Sequence, residues 1–418
     1  MKKQKIVNDP VHGFISIRSA LAYEIIEHPY FQRLRGVKQL GLTHMVYPGA
    51  CHTRFQHALG AMHLMGQAIE ALRAKGHHIS SDEAEAAECA MLLHDIGHGP
   101  FSHALEFSLV EGVAHEHISA AMMHALNREM GGRLDLTLAI FGGSYPKNFL
   151  HRLVSSQLDV DRLDYLLRDS FFSGVAEGAV GVERIIKMLE VVNDELVVEE
   201  KGIHSVEKFL IARSFMYWQV YLHKAVIAAE QLLVNIFARA KALVRQGEPL
   251  PATEALQPFL AHDLGADLLA GGQALPRFVQ LADCDVDCAV KAWGAHPDRV
   301  LRLLCRMLAE RRLPKVDIRA EEFEAGRVAT LLQQTAQLLA LSSHEAAYFT
   351  QAKALVNRAY SSTGDPIMIV QKNGALRDIY EVSDMLNATA FRHATTKHFL
   401  CHPKEVDSEP HAVVNFKP

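Results

Sequence analysis

One segment of the chain, residues 90–106 (AMLLHDIGHGPFSHALE), concentrates side chains that can bind a metal ion or transfer a proton. It carries the adjacent pair His94-Asp95 and two further histidines, His98 and His103, directly after an apolar run. Imidazole is the commonest metal ligand among side chains and a frequent acid–base group. The segment therefore allows two interpretations: satisfied polar groups in a core, or part of a metal site.

Two other segments offer further ligands. Upstream, YPGACHTRFQHALG (47–60) places His57 at the start of an apolar helical pattern, three residues after Arg54. Downstream, SSQLDVDRLDYLLRDS (155–170) predicts a helix with leucines on one half, Asp159 as a cap or solvent-facing residue, and these polar side chains on the other half: Asp161, Arg162, Asp164, Tyr165, Arg168 and Asp169. Taken alone, this helix is also consistent with an ordinary solvent-facing surface.

Together, His57, His94, Asp95 and Asp161 supply two imidazoles and two carboxylates. A mixed nitrogen and oxygen set without thiolate suits a divalent cation with open coordination positions, first Mn, Mg or Fe, with Ni or Zn as alternatives. It differs from a closed structural zinc site. A third segment, EGVAHEHISA (111–120), adds His115 and His117 on different helix faces, so that at most one serves the same site.

The composition is that of a globular protein. The 418 residues are 49% hydrophobic and 22% charged, and the formal net charge of −5 does not indicate a general polyanion-binding surface. No apolar run reaches the roughly 18 residues of a membrane span, and the N-terminus lacks the apolar stretch of a secretory signal. Six scattered cysteines indicate reduced thiols, and we expect a cytoplasmic protein without membrane association.

Apolar periodicity predicts a mainly α fold with little antiparallel strand. Short extended pieces around a turn are expected in residues 1–17, and hairpins in 191–203 and 366–386. Helices are expected over residues 55–76, 80–96, 114–130, 147–171, 180–191 and 205–245. Composition changes at 246–272, so we divide the chain into a core of residues 1–245 and a helical or α+β accessory region of 246–418, for packing and oligomer contacts.

The order H…HD…D resembles that of the HD-domain metal-dependent phosphohydrolases. The flanking text narrows the resemblance to the deoxynucleoside triphosphate triphosphohydrolases, a branch that includes bacterial enzymes and a mammalian enzyme with an added sterile-alpha-motif domain. It rests on DPVHGFI, FQRLRGVKQLG, YPGACHTRFQHALG, LLHDIGHGPFSHALE, HE and SSQLDVDRLDYLLRD. It is close over residues 5–245 and weak beyond, and it implies a helical HD-domain catalytic core with small antiparallel hairpins.

The resemblance also implies a reaction. Relatives cleave a deoxynucleoside triphosphate (dNTP) to deoxynucleoside and inorganic triphosphate, by attack at the α-phosphorus. The metal would be held by His57, His94, Asp95 and Asp161. His115 would be the general acid, and His98 with Glu106 would support it near the α-phosphate.

The substrate contacts that the resemblance implies divide by the part of the nucleotide. Phosphates would be met by Arg54, His103, Arg162 and, at the γ end, Arg213; position 162 holds lysine in some relatives. The deoxyribose would face Tyr165 and Asp169, with Tyr221, Gln39 and Leu40 near sugar and base. The segment 212–225, which carries Arg213 and Tyr221, also fits an aromatic core stripe with basic edges.

A regulatory nucleotide between subunits is implied for some relatives, in a dimer or tetramer. Residues 5–9 with Glu27, Gln32 and Arg35 occupy the corresponding positions. Glu27 departs from the aspartate of the mammalian relative, and Gln32 and Arg35 also fit an ordinary helix surface. A homo-oligomer is the expectation.

Two other functions stay open at this point. A different HD enzyme, a phosphatase or phosphodiesterase for nucleoside monophosphates or cyclic dinucleotides, would share the metal site without needing the sugar-facing tyrosine and aspartate. A non-catalytic nucleotide or nucleic-acid binding protein would have no chemical need for the ligand set with His115. The sequence leaves nucleic-acid binding undecided.

Overall fold

The computed structural model describes residues 5–357, 365–386 and 395–407. Over these residues the chain is mainly helical and contains three small sheets, which confirms the predicted fold class. Twelve helices precede residue 246: α1 (Ala20–Glu27), α2 (Pro29–Gln32), α3 (Arg54–Ala74), α4 (Ser81–Leu93), α5 (Ser102–Leu109), α6 (His115–Glu129), α7 (Asp135–Phe141), α8 (Asn148–Val154), α9 (Val160–Ser173), α10 (Val182–Met188), α11 (Ile203–Met216) and α12 (Lys224–Arg245).

The remaining helices of the described chain are shorter on average, and strands become more frequent. The helices are α13 (Gln257–Ala261), α14 (Gly265–Leu269), α15 (Ala274–Phe278), α16 (Asp283–Trp293), α17 (Arg299–Ala309), α18 (Ala325–Leu339), α19 (Ser343–Ala346) and α20 (Ile379–Val382). The described residues form nine strands, four before residue 246 and five after it: β1 (Lys5–Asp9), β2 (Gly13–Ile17), β3 (Leu189–Val192), β4 (Glu195–Glu199), β5 (Lys315–Arg319), β6 (Gln351–Asn357), β7 (Met368–Val370), β8 (Leu376–Asp378) and β9 (Thr395–His402).

The predicted hairpins are present. β1 and β2 pair antiparallel, as do β3 with β4 and β7 with β8. Asn193 and Asp194, which join β3 to β4, both have positive φ, as a two-residue turn between twisted strands requires. The turn before β8 contains Gly374, whose φ is +83°.

The predicted helix of 147–171 is two helices, α8 and α9. Asp159 interrupts it, because its side chain accepts hydrogen bonds from the backbone N–H groups of Ser156 and Arg162, both at 2.8 Å. These bonds cap α9 and make Val160 its first residue. The cap was expected of Asp159, whereas the solvent-facing alternative was wrong, since the residue is 1% exposed.

The predicted helix of 205–245 is also interrupted. A π-helical turn, Tyr217–Tyr221, ends α11, and the His223 imidazole accepts from the Ala225 N–H at the start of α12. The chain bends by 58° there. Within the described ranges no individual helix has the length and apolar character of a bilayer span; the bent pair Glu200–Tyr221 and Lys224–Arg245 meets that test only jointly, by length and composition.

Residues on both sides of position 245 contribute to the same packing. One buried apolar cluster contains side chains of α3, α4 and α6 together with those of α16, α17 and β5. The four-stranded sheet has the order β3-β4-β7-β8, and β7 lies parallel to β4, with Val198 opposite Ile369. The predicted boundary between residues 245 and 246 stays a prediction, and across it the two parts share a core and a sheet.

Candidate metal centre and active site

Ligand atoms of His57, His94 and Asp161 meet at one point, and Asp95 adjoins them. His57 lies near the start of α3, His94 and Asp95 directly follow α4, and Asp161 lies in the first turn of α9. His57 Nε2 is 3.0 Å from Asp161 Oδ1 and 3.4 Å from His94 Nε2, and His94 Nε2 is 3.4 Å from Asp161 Oδ1. Asp95 joins them, with Oδ1 3.4 Å from His94 Nε2.

This donor set fits a divalent cation. Two ligand atoms that share one cation at roughly 2.1 Å lie roughly 3–4 Å apart, as those of His57, His94 and Asp161 do. The Asp95 oxygens lie 3.4 Å from His94 Nε2 and 3.9 Å from His57 Nε2. Each histidine also uses its other ring nitrogen elsewhere: His57 Nδ1 donates to Asp164 Oδ2 at 2.8 Å, and His94 Nδ1 to the Met91 carbonyl at 2.7 Å. Both Nε2 atoms are thereby left for the shared centre.

The electrostatics of this group favour positive charge at its centre. Burial disfavours the charged imidazole, but the hydrogen bonds to Asp161 and Asp164 outweigh it and raise the pKa of His57 to about 10. Against the same burial cost, His57 and His94 hold the pKa of Asp161 well below its ordinary value. The carboxylates that stabilise a proton here are suited to stabilise a cation.

A second group adjoins the first. His98 Nε2 lies 3.3 Å from Asp95 Oδ1, and the His98 ring stacks on that of His115, with centroids 3.7 Å apart. His115, the first residue of α6, donates from Nδ1 to Glu106 Oε1 at 2.6 Å. Gly97 permits this close approach, because a Cβ at that position would lie 2.4 Å from the His115 carbonyl oxygen.

The two stacked histidines have opposite pKa shifts. Burial, reinforced by the Arg54 charge, lowers the pKa of His98 well below its ordinary value. Burial also opposes the protonated form of His115, but the Glu106 hydrogen bond and the nearby Asp95 charge raise its pKa. These shifts favour the protonated form of His115 and the neutral form of His98, a pairing that suits a proton donor.

A third group lies along α9 and the π-helical turn. Asp169 is 1% exposed, and its two oxygens accept from His52 Nε2 and the Tyr221 hydroxyl, each at 2.7 Å. The Tyr165 ring makes an edge contact with that of Tyr221 at 6.4 Å. The predicted sugar-facing residues Tyr165, Asp169 and Tyr221 are therefore neighbours.

Arg213 and Arg162 lie beside this third group, and Arg54 lies beside the first. Arg213 is 6% exposed, yet its Nε and Nη1 have no hydrogen-bond partner among the described residues, and its guanidinium is 5.8 Å from the Tyr217 ring. Arg162 instead forms an ion pair with the capping residue Asp159. Arg54 pairs with Asp95 and so contacts the candidate metal ligands directly.

Other predicted residues have varied surroundings. The Gln39 N–H donates to the His52 carbonyl, and Leu40 packs beside the apolar cluster that contains α9. The His103 side chain lies outside the described residues.

Of the predicted regulatory residues, Gln32 donates a hydrogen bond to the Ile26 carbonyl and accepts one from Arg35. The Arg35 guanidinium also lies 3.6 Å above the Phe55 ring, so the helix-surface alternative accounts for both side chains. Glu27 ends α1 and residues 5–9 form β1.

Sequence analysis missed several residues that hold the site. The helix pattern predicts Asp164 and Arg168 on the polar half of α9. Of their partners, Asp9 is assigned only to the segment 5–9 and His12 only to the motif DPVHGFI, and neither is expected to contact α9. His52 was quoted within a motif and given no role, although it precedes the capping residue of α3 and binds Asp169. The signal in each case was a polar residue at a turn next to an apolar segment.

Two family models match the part of the chain that carries these three groups. Residues 54–167 match the HD domain model, and residues 180–247 match the HD associated region. A crystal structure of a phosphohydrolase from Bacteroides thetaiotaomicron is 49% identical, with a TM-score of 0.92 over 96% of this chain and 100% of that one. The chain belongs to the HD-domain phosphohydrolase family.

Two further relatives show how far this HD phosphohydrolase resembles other members. The uncharacterized protein YwfO of Bacillus subtilis is 29% identical over 97% of this chain and 94% of its own length. Human SAMHD1, a deoxynucleoside triphosphate triphosphohydrolase, is 30% identical over 56% of this chain and 44% of its own length. The match to SAMHD1 thus spans less than half of that protein.

Proposed function

We propose that this HD phosphohydrolase cleaves deoxynucleoside triphosphates to deoxynucleoside and inorganic triphosphate, with water attacking the α-phosphorus. The observation that carries the proposal is the position of His98. It contacts Asp95, one of the proposed metal ligands, and stacks on His115, so that the proposed acid stands beside the proposed cation. The similarity to the SAMHD1 enzymes supports a dNTP as the substrate.

The reaction breaks the bond between the α-phosphorus and O5′ and forms one to a water oxygen, and that water releases a proton to solvent while O5′ takes one up. His57, His94, Asp95 and Asp161 would hold a divalent cation, which supplies positive charge at the phosphate oxygens and acidifies water when bound. His115 gives its proton to the O5′ leaving group, and Glu106 holds the His115 ring in place through Nδ1. Nε2 of His115 is then the atom that donates.

The sugar is selected by the third group. We infer that the deoxyribose packs between Tyr165 and Asp169, whose carboxylate is oriented by His52 and Tyr221. A 2′-hydroxyl would crowd the Tyr165 ring and lose its hydrogen bonds to water, so ribonucleotides bind more weakly. This step follows the role that the family resemblance implies for both residues.

The phosphate tail is met by arginine. The Arg213 guanidinium is buried and has nitrogens without partners among the described side chains, which is costly unless an anion completes them. A terminal phosphate is the anion that this proposal supplies, with Arg54 and Arg162 at the phosphates nearer the cation.

Product analysis tests the reaction. The protein is incubated with each dNTP and Mn²⁺ or Mg²⁺, and nucleoside, nucleotides, phosphate and triphosphate are resolved by anion exchange. We expect deoxynucleoside and triphosphate in equal amounts, none from Asp161→Ala, and unchanged turnover from Asp298→Asn, which alters the carboxylate that caps α17 and pairs with Arg239. Monophosphate with pyrophosphate, or stepwise phosphate release, would instead identify a different HD phosphatase or phosphodiesterase. Nucleotide or nucleic-acid binding without turnover would identify a binding protein.

The activator, the oligomer and the compartment remain predictions. Turnover that appears only in dNTP mixtures would indicate a regulatory nucleotide. Light scattering with and without nucleotide would identify a dimer or tetramer. Metal analysis of the purified protein would distinguish Mn, Mg and Fe from Ni and Zn.

A further inference from the structure

A buried polar network lies behind His57, one of the proposed metal ligands. At its centre is Asp164, which is 0% exposed and whose two oxygens accept four hydrogen bonds. Oδ2 accepts from His57 Nδ1 and from Arg168 Nε, both at 2.8 Å. Oδ1 accepts from His12 Nε2 at 2.6 Å and from Arg168 Nη2 at 3.0 Å.

Arg168 carries the network on to the N-terminal hairpin. Its guanidinium is also 0% exposed, and its Nη1 donates to Asp9 Oδ2 at 2.8 Å. Asp9 in turn accepts from the backbone N–H groups of Val11 and His12, at 3.0 and 2.9 Å, and so fixes the turn between β1 and β2. The turn that presents His12 to Asp164 is thus held by the arginine that Asp164 binds.

The chain makes specific room for this network. Gly60, in α3, faces it, and a Cβ there would lie 2.0 Å from Asp164 Oδ1 and 2.2 Å from Arg168 Nη2. Burying two carboxylates and a guanidinium gains little stability over well-packed apolar side chains. A gain in stability therefore explains the buried network poorly. The hydrogen bond from His57 to Asp164 explains it directly, because it orients the His57 ring.

We propose that Asp164 is a positioning residue that fixes the His57 ring for cation binding, and that Arg168, Asp9 and His12 fix Asp164. The inference rests on His57 being a metal ligand, as in the proposed function, and does not depend on the nucleotide hydrolysed. A carboxylate on Nδ1 sets the tautomer and the direction of Nε2 and makes that nitrogen a stronger donor. Cation affinity then depends on the turn of the N-terminal hairpin, although residues 9–13 contain no ligand.

The test is Mn²⁺ affinity, measured by titration with the free ion followed by electron paramagnetic resonance. Asp164→Asn should bind Mn²⁺ about 10- to 100-fold more weakly than the wild type. Co²⁺ absorption, which reports the ligand geometry, should change in the same variant. The matched control Asp298→Asn removes a different paired carboxylate and should leave both readouts unchanged.

His12→Phe provides a second test if Asp164→Asn does not fold, because it removes one hydrogen bond at the edge of the network. We expect several-fold weaker Mn²⁺ binding with a metal-free unfolding temperature close to that of the wild type. Wild-type affinity in a folded variant of either kind would overturn the proposal, as would a wild-type protein that binds no Mn²⁺. Weakened Mn²⁺ binding in a protein that hydrolyses no dNTP would support the network and reject only the proposed reaction.

Discussion

Glu106 accepts two hydrogen bonds from His115, one from the backbone N–H at 2.9 Å and one from the imidazole Nδ1 at 2.6 Å. A single carboxylate oxygen therefore fixes both the start of α6 and the ring that its first residue carries. The ring is held with Nε2 directed away from Glu106, and its orientation is set before any substrate binds.

Glu106→Gln should lower kcat about 100-fold, because an amide neither orients His115 nor stabilises its proton as a carboxylate does. The metal content should not change. The matched control is Glu116→Gln: that carboxylate is 3.5 Å from the same Nδ1 but 64% exposed, and we expect wild-type kcat. Equal losses in the two variants would show that general negative charge, rather than the Glu106 contact, supports His115.

His52→Ala should reduce the preference for a dNTP over the matching ribonucleotide about 10-fold, because Asp169 loses the donor that orients it. The measurement is the ratio of kcat/KM for the two nucleotides. His78→Ala, which removes an exposed histidine, serves as the control. An unchanged ratio with lower kcat for both nucleotides would assign His52 a role in packing against Phe172 instead.

Arg213→Gln should raise KM about 10- to 100-fold with a smaller effect on kcat, since the buried guanidinium is expected to contact the end of the triphosphate farthest from the bond that breaks. Arg213→Lys keeps the charge without the planar fork and should restore part of the affinity. Steady-state kinetics with one dNTP measures both variants. A Gln variant with wild-type KM would remove Arg213 from the substrate site.

The lowered pKa of Glu83 predicts that the free energy of unfolding depends on pH, through a group outside the candidate active site. Burial opposes its ionisation, but hydrogen bonds from Lys147, Tyr145 and the Ser80 backbone lower its pKa from 4.5 to about 2. The folded protein thus keeps the carboxylate charged where the unfolded chain takes up a proton. Its contribution is complete above about pH 4.5 and declines as the pH falls towards 2.

Glu83→Gln should therefore lower the free energy of unfolding by about 1–2 kcal/mol at pH 7, and by less at pH 3. Urea unfolding at both values measures the difference. Asp82→Asn changes an exposed acid in the same helical turn and should show no comparable pH dependence. A penalty for Glu83→Gln that does not shrink in acid would contradict the assignment.

Local signals explain which parts of the fold were predictable. Ser80 and Glu83 stand three residues apart at the start of the predicted helix 80–96, the spacing of a capping box, and the structure forms that box. The break before α9 was not predicted, although residues 155–159 (SSQLD) contain one apolar side chain, Leu158, and the Asp159 side chain binds the backbone there. The π-helical turn at 217–221 interrupts an unbroken apolar period.

In the candidate site, too, some contacts could be predicted from local sequence and others could not. The spacing of Asp161 and Asp164 on one helix was readable from the sequence. That Asp164 contacts His12, 152 positions earlier, and that His52 contacts Asp169, 117 positions later, depends on how helices pack, which no local pattern encodes. The residue pattern and the family resemblance supplied the candidate ligands but not these supporting contacts.

The pairing of β7 with β4 has a consequence for any attempt to shorten the protein. A fragment ending at Arg245 would lose Ile369 from its core and leave the β4 backbone groups that face β7 open to solvent. Such an open edge is a template for strand addition by other molecules. Residues 365–386 therefore cover a strand edge that would otherwise promote aggregation. A shorter fragment would need this segment added as a separate peptide, or charged substitutions along the β4 edge.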